Sequence, residues 1–359
     1  MPTVTAVRPQ LVYLVFGADT YHQEAIFSIA SAIAHLGAAG EMPLDIQVFT
    51  DNPQPYARLP VRVRPFGQDT RRAWSQPHGY HFRTKHVALR EVLRDSPLAM
   101  LVDTDTFFRE SPLALFARIQ PGTLLCNAFS MQYRDGSDSP LYYELAEELK
   151  AQGMADDDMW LVNSGVIGLF QGDAQVLDRS IELMDRYYPR TPTAYNLEEF
   201  CLALATYKQY PVHQCSDLIH HYWSRKLLIR AKVQAWVSKH HEQPLAAQAL
   251  ADVRLVSSHV PRPPAVQRLA YKAVTLALPR EQRQFMREIL YGCYEHPNEF
   301  DRACAPVWWD KARQNLQERQ HAPVQAEQLQ RWLGSTVGRL ILGKRRDAIY
   351  QHLIANPAN

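Results

Sequence analysis

The chain is short of several things that would each point to a definite class of protein. Cysteine is sparse: Cys126, Cys201, Cys215, Cys293 and Cys304 form no C-x-x-C pair, and an odd count fits reduced thiols better than a disulfide framework. No run of about 18 uninterrupted apolar residues exists, so no membrane-spanning helix is expected. Charge of one sign is not in excess: Lys+Arg 39 against Asp+Glu 37 gives a formal net charge of +2, and no field argues for nucleic acid. Residues 1 to 10 lack the basic-then-apolar build of a signal peptide. The expectation is a reducing, cytoplasmic setting, with peripheral association to the inner face of a membrane left open. Internal repeats and low-complexity stretches are missing as well.

What remains is 359 residues, 46% hydrophobic and 21% charged, enough for one sizeable core and a smaller second unit. Leu11-Val-Tyr-Leu-Val-Phe16 is an apolar run of strand length, and Gly17-Ala-Asp-Thr20 supplies turn and cap residues. Ile26, Ile29, Ala30 and Ile33 recur at three and four, the period of a helix that Gly37 can stop. Asp45 to Phe49 predicts a second strand ending in Thr50-Asp51-Asn52-Pro53, Val61 to Arg64 a more exposed one, and residues 83 to 94 a helix. Leu98 to Val102 predicts the next strand. This alternation argues for a mostly parallel α/β sheet, Rossmann-like, with helices on both faces. Ligands bind such sheets outside the C-terminal strand ends, where Gly17 to Tyr21, Thr50 to Asn52 and Asp103 to Asp105 all fall.

Further strands are expected at Thr123 to Cys126 and Trp160 to Phe170, and helices on Leu177, Ile181, Met184 and Tyr188 and on Leu197, Phe200, Cys201 and Leu204. From about residue 235 the chain turns helix-like and rich in Gln and Arg. Within that tail, residues 265 to 279 have the make-up of a membrane-surface segment, but packing on the protein's own core is the favoured reading. Lys344-Arg345-Arg346 reads as a solvated helix end.

Asp103-Thr104-Asp105 carries the most chemistry. Two carboxylates leaving a buried strand together are costly unless something cationic meets them. Acids at i and i+2 on an extended strand point the same way, and hard oxygen ligands suit Mg²⁺ or Mn²⁺ holding a diphosphate. A turn that caps a following helix explains the same three residues.

The string Leu101-Val-Asp-Thr-Asp-Thr-Phe107, then Asn163-Ser-Gly-Val-Ile-Gly-Leu169, then His220 with Lys226 behind it, resembles the nucleotide-sugar glycosyltransferases of the GT-A fold, in particular their retaining, family 8-like branch. The likeness spans roughly residues 10 to 230 and implies a GT-A catalytic domain over 1–234, with 235–359 a mostly helical extension. It implies that Asp103, Asp105 and His220 bind Mn²⁺ or Mg²⁺, with His220 and neighbouring His221 not separated. Thr104, within this motif, would lie beside the nucleotide-sugar. Lys226 would contact the diphosphate of a UDP-sugar, and Lys85 with Arg83 would lie on the nucleotide-sugar. Tyr21 would stack on uracil and Asp51 bond the base or ribose; core packing and turn formation explain those two equally. Asn163, Ser164 and Gly165 would approach a sugar, and Glu198 or Glu199 would face the reacting sugar, a wet helix face being the alternative. The acceptor would be a glycan, a lipid-linked saccharide or another hydroxyl.

Two other readings compete. Asp103-Thr-Asp105-Thr106 also fits phosphatases of the haloacid dehalogenase type, with Asp103 as nucleophile and Gly172-Asp173 and Asp178 mimicking their later acidic motif. A non-catalytic glycan-binding protein on the same scaffold is the third.

Overall fold

The computed structural model describes residues 8–37 and 42–355, the side chain of Arg225 aside. Residues 1–7, part of the segment with no leader-like build, lie outside the described residues. The chain divides into two compact units: the first takes residues up to Trp223 together with His240–Val253, the second takes Ser224–Lys239 and the chain from Arg254 onward.

Among the described residues nine strands lie in the first unit: β1 (Gln10–Val15), β2 (Asp45–Thr50), β3 (Arg62–Pro65), β4 (Leu98–Val102), β5 (Thr106–Phe108), β6 (Leu124–Gln132), β7 (Trp160–Phe170), β8 (Val212–Gln214) and β9 (Ile219–His221). Seven of them form one sheet in the order β3-β2-β1-β4-β7-β6-β8, and β5 pairs with β9 in a separate ribbon. The architecture is the α/β layering that the alternating pattern predicts, with a mostly parallel central sheet flanked by helices. The β1–β2, β1–β4, β2–β3 and β6–β8 pairs are parallel, so the ends of β1, β2 and β4 reach one edge together.

β7 runs against both of its neighbours. Val102 pairs with Val166 at one end of the β4–β7 ladder and Leu98 with Phe170 at the other. Asn163-Ser-Gly165 therefore arrives beside Asp103, while Gly172-Asp173 leaves at the opposite edge.

Strand alternation sends side chains to two separate cores. Val12, Ala99, Leu101, Ile167 and Leu169 pack on one side with Leu89, Val92 and Leu93 of helix Arg83–Asp95 and with Leu197, Phe200 and Cys201 of helix Leu197–Thr206. Leu11, Tyr13, Val15, Met100, Val102 and Val166 pack on the other with Ala25, Ile29 and Ala32 of helix Asp19–Leu36. Both faces are covered, which is why these strands read as unbroken apolar runs.

The second unit is helical. Phe285, Met286 and Ile289 of helix Arg283–Gly292 pack with Ala312 and Leu316 of helix Ala305–Gln320 and with Leu329, Trp332 and Leu333 of helix Ala326–Leu333. The expectation that residues 265 to 279 pack on the protein's own core holds in part: Leu278 joins this cluster, Thr275 is buried and Tyr271 packs against the cluster, whereas helix Ala265–Val274 itself contains no buried residue and is seated on one side only. Among the described residues no helix is long and apolar enough to cross a membrane.

Ile167 is fully buried in the middle of β7, paired with Leu101 on one side and Cys126 on the other. Ile167→Ala leaves a cavity that neighbouring strands cannot close, and should cost about 2–5 kcal/mol. Urea unfolding followed by tryptophan fluorescence measures it; a loss under about 1 kcal/mol would mean that the sheet centre repacks freely.

Candidate functional site

The site forms where β4 ends. The Asp103 N–H donates to the Gly165 carbonyl at 3.0 Å, which closes the β4–β7 ladder and points the chain into the turn Asp103-Thr104-Asp105. The Thr106 hydroxyl donates back to the Asp103 carbonyl at 2.7 Å and meets Ser28 Oγ at 3.1 Å, which in turn meets the Tyr13 hydroxyl at 3.0 Å. A buried polar chain from β1 and helix Asp19–Leu36 thus fixes the turn from beneath.

The β5–β9 ribbon supplies the histidine. Thr106 pairs with His221 and Phe107 with His220, and the Tyr222 N–H donates to the Asp105 carbonyl at 3.0 Å. Successive strand residues face opposite ways, so only one of the two imidazoles can reach the acids. It is His221. The expected set with His220 is corrected on this point: His220 turns its ring to Phe107, 5.1 Å between centroids. His221 Nε2 lies 3.3 Å from Asp105 Oδ1 and 3.9 Å from Asp103 Oδ2, and one ligand atom from each of Asp103, Asp105 and His221 falls within 4.8 Å of the others.

The imidazole is oriented by a relay. Asn163 donates from Nδ2 to Glu199 Oε1 at 3.0 Å, which leaves Oδ1 as the acceptor for the Gly165 N–H at 3.2 Å and for His221 Nδ1 at 2.8 Å. With the proton on Nδ1, Nε2 presents its lone pair to the two aspartates. Fixing the tautomer of a ligating histidine from its far nitrogen is a recurrent property of metal sites. Gly165 makes the relay possible, since a Cβ built on it would overlap Nδ1, Cε1 and Cγ of His221. The ring occupies the space that a Cβ at residue 165 would fill.

Lys85 holds the other side. Its Nζ donates to Asp103 Oδ2 at 3.0 Å, to Ser164 Oγ at 3.0 Å and to the Ser164 carbonyl at 3.2 Å, and stands 2.9 Å from Asp103 Oδ1 and 3.6 Å from Glu198 Oε1. Burial alone would lower the Lys85 pKa, but Asp103 and then Glu198 outweigh it and raise it, so the ammonium is charged. Ser164 donates from Oγ to Glu198 Oε1 at 2.9 Å and from its N–H to Glu199 Oε1 at 3.0 Å. Tyr80, which the sequence pattern did not single out, donates to Glu198 Oε2 at 3.4 Å and accepts from the Glu198 N–H at 3.2 Å. Its only sequence signal is its place just before Lys85.

Three carboxyl groups, Asp103, Glu198 and Glu199, thus act on one ammonium, while Asp105 stands beside His221. Burial, and then the neighbouring Glu198, push Glu199 up to about 7. The His221 imidazole loses basicity to burial but gains more from Asp105, and is raised overall. Two aspartates and one oriented imidazole, in an excess of negative charge, are a donor set that fits a divalent cation.

The outer residues divide. Asp51 accepts from the Gly17 N–H at 3.0 Å and lies 3.5 Å from His22 Nε2, tying the loops after β1 and β2 together. Tyr21 is 40% exposed in the first turn of helix Asp19–Leu36, on the same edge of the sheet. Thr104 is half-buried in the turn between the aspartates. Arg83 does not join the cluster: it pairs with Asp185 through Nε at 2.8 Å and Nη2 at 3.0 Å and donates to the Trp74 carbonyl. That partner comes from helix Gln175–Tyr187, so packing claims the guanidinium. Lys226 is the first residue of helix Lys226–His240, in the second unit.

No protein-family model matches the chain, and no curated protein sequence matches it. Among solved structures it is similar to the galactosyltransferase LgtC in complex with donor and acceptor sugar analogs, at a TM-score of 0.43 and 12% identity over 70% of this chain and 97% of that one. Mouse xyloside xylosyltransferase 1 in its apo form gives 0.40 and 14% over 58% and 85%. The apo bifunctional glycosyltransferase WbbM gives 0.40 and 15% over 60% of this chain, which spans 40% of WbbM's length. All three neighbours are glycosyltransferases. At these distances the functional reading rests on the site itself.

Gly165→Ala must displace the His221 ring, and should weaken Mn²⁺ binding by about tenfold or more with the circular dichroism spectrum unchanged. Titration calorimetry reads this; unchanged affinity would remove His221 from the metal set. Glu199 gives a second test, in the metal-free protein. Its folded pKa lies above its unfolded value near 4.5, so the native state holds the extra proton and stability falls as pH rises from about 4.5 to about 7. Glu199→Gln keeps the acceptor oxygen without the charge. It should flatten that decline and be the more stable at pH 8 by on the order of 1 kcal/mol, measured by urea unfolding in EDTA; parallel curves would refute the shift.

Proposed function

We propose that the protein is a metal-dependent glycosyltransferase that moves a sugar from a nucleotide donor, a UDP-sugar by preference, to a saccharide, lipid-linked or other hydroxyl acceptor. The observation that carries the reading is the Asp103–Asp105–His221 cluster at the C-terminal edge of β1, β2 and β4, with Glu198 and Glu199 behind it. A divalent cation there, Mn²⁺ or Mg²⁺, would offset charge developing on a leaving diphosphate. Asp103, Asp105 and His221 would hold it. Mixed carboxylate and imidazole donors favour Mn²⁺ of the two.

The other roles follow the chemistry of each side chain. Lys85 neutralises Asp103 and Glu198 and keeps the turn in place, so it acts on the donor phosphates only through Asp103. Asn163 positions His221. Glu198 or Glu199, at the start of helix Leu197–Thr206, would face the reacting sugar, where a carboxyl group can hold a hydroxyl or, when ionised, stabilise positive charge at the anomeric carbon. Tyr21, Thr104 and Asp51 would line the nucleotide side; a diphosphate contact from Lys226 is carried by the motif resemblance alone. Retention at the anomeric carbon, the family 8-like branch and the domain limits 1–234 and 235–359 are carried by the motif resemblance.

Incubation with a panel of nucleotide-sugars and Mn²⁺ tests the reading. Metal-dependent release of UDP, abolished by EDTA and reduced at least about 10²-fold in Asp105→Ala, is the expected result. Full activity in a folded Asp105→Ala protein would overturn the metal assignment. Hydrolysis of a phosphomonoester in place of UDP release would favour Asp103 as a nucleophile, and binding without turnover a glycan-binding module.

A further inference from the structure

Helix Ala265–Val274 of the second unit is seated on one side only. Gln267 and Tyr271, one turn apart, are its half-buried residues, and the Tyr271 ring meets that of Tyr291 at 6.4 Å between centroids. Each residue advances the helix by ~100°, so positions 266, 269 and 273 face away from that seat. Apolar side chains stand there: Val266 is 80% exposed and Leu269 65%, and Leu276, in the turn that follows, is 59% exposed. A stripe of this kind, turned to solvent at three and four spacing, marks a surface that something covers.

The charge around it says what. Arg268 and Lys272 lie four apart on one flank, Arg262 precedes the helix and Arg280 follows it, and all four are exposed. Among the described residues none of these four is held in an ion pair. From Val253 to Arg280 the chain carries no Asp or Glu at all. A second copy of the chain fits poorly, because pairing this face with itself would bring two cationic segments together with no acid to meet them. A helix of ten residues is ~15 Å long, about half the hydrocarbon thickness, so it can lie on a bilayer but not cross one.

We propose that helix Ala265–Val274 docks the protein on an anionic lipid bilayer, Val266, Leu269 and Leu276 entering the headgroup boundary while Arg268 and Lys272 meet lipid phosphates. The inference is independent of the transferase reading and of the metal site.

Flotation of the full-length protein with phosphatidylcholine vesicles, with and without phosphatidylglycerol, tests it. Binding should rise about tenfold or more with the anionic lipid and fall with added salt. Leu269→Glu and the double variant Arg268→Glu/Lys272→Glu change exposed positions only, and each should lower the bound fraction about tenfold, with circular dichroism and thermal melting unchanged. No dependence on phosphatidylglycerol, or binding that survives both variants, overturns the proposal. So does a dimer in solution that Leu269→Glu dissociates while vesicles bind neither protein, for then a second copy covers the face.

Discussion

The first unit is organised around the cost of gathering carboxylates. Asp105 and Glu198 are buried, Asp103 and Glu199 are half-buried, and Lys85 is the ammonium among them. Leaving such groups uncompensated would cost several kcal/mol each. The fold meets that cost in three ways. Lys85 bridges Asp103 and Glu198. The Ser164 N–H and Asn163 Nδ2 donate to Glu199. Glu198 and Glu199 occupy the first turn of a helix, where the macrodipole favours negative charge. What remains is the negative side that Asp103 and Asp105 present to His221, and this residue of charge is what a divalent cation would neutralise.

Compensation also changes how the individual residues are understood. Lys85 and Asn163, read by motif, face donor and sugar; their hydrogen bonds run into the protein, to carboxylates and to an imidazole. Both act by holding other groups. A side chain with every polar atom engaged is a poor direct ligand but a rigid support, and rigidity about the metal set is what a preorganised site requires.

The sheet and the strand edge that carries the site were legible in the sequence because continuous apolar runs and turn residues mark buried parallel strands locally. Asp103 and Asp105 were legible for the same reason, as polar residues closing such a run. The histidine was not. β5 and β9 are three residues each, too short for an alternation to show which of His220 and His221 faces inward, and their pairing joins segments far apart in the chain. The pairing of Arg83 with Asp185 could not be read from the sequence because Asp185 belongs to a distant helix. The small size of Gly165 is legible in the pattern, but the His221 ring that needs it comes from a segment far along the chain. Helix Ala265–Val274 has an amphipathic pattern that one chain cannot assign: the same period serves a buried core and a covered surface, and only the packing of its unit separates them.

The direction of β7 bears on which chemistry a D-x-D motif carries. A nucleophilic aspartate of the phosphatase type needs its later acidic motif near the same strand end. Because β7 is antiparallel to β4, Phe170 pairs with Leu98, at the start of the strand that Asp103 ends. Asp173, just past Phe170, accepts from the Gly122 N–H at 2.8 Å on that far edge, and Asp178 pairs with Arg90. Neither can approach Asp103. The same reversal delivers Asn163, Ser164 and Gly165 to Asp103, and with them the bonds that hold Glu199 and orient His221. One strand direction therefore removes the acids that a nucleophile would need and brings in the groups that a metal set uses.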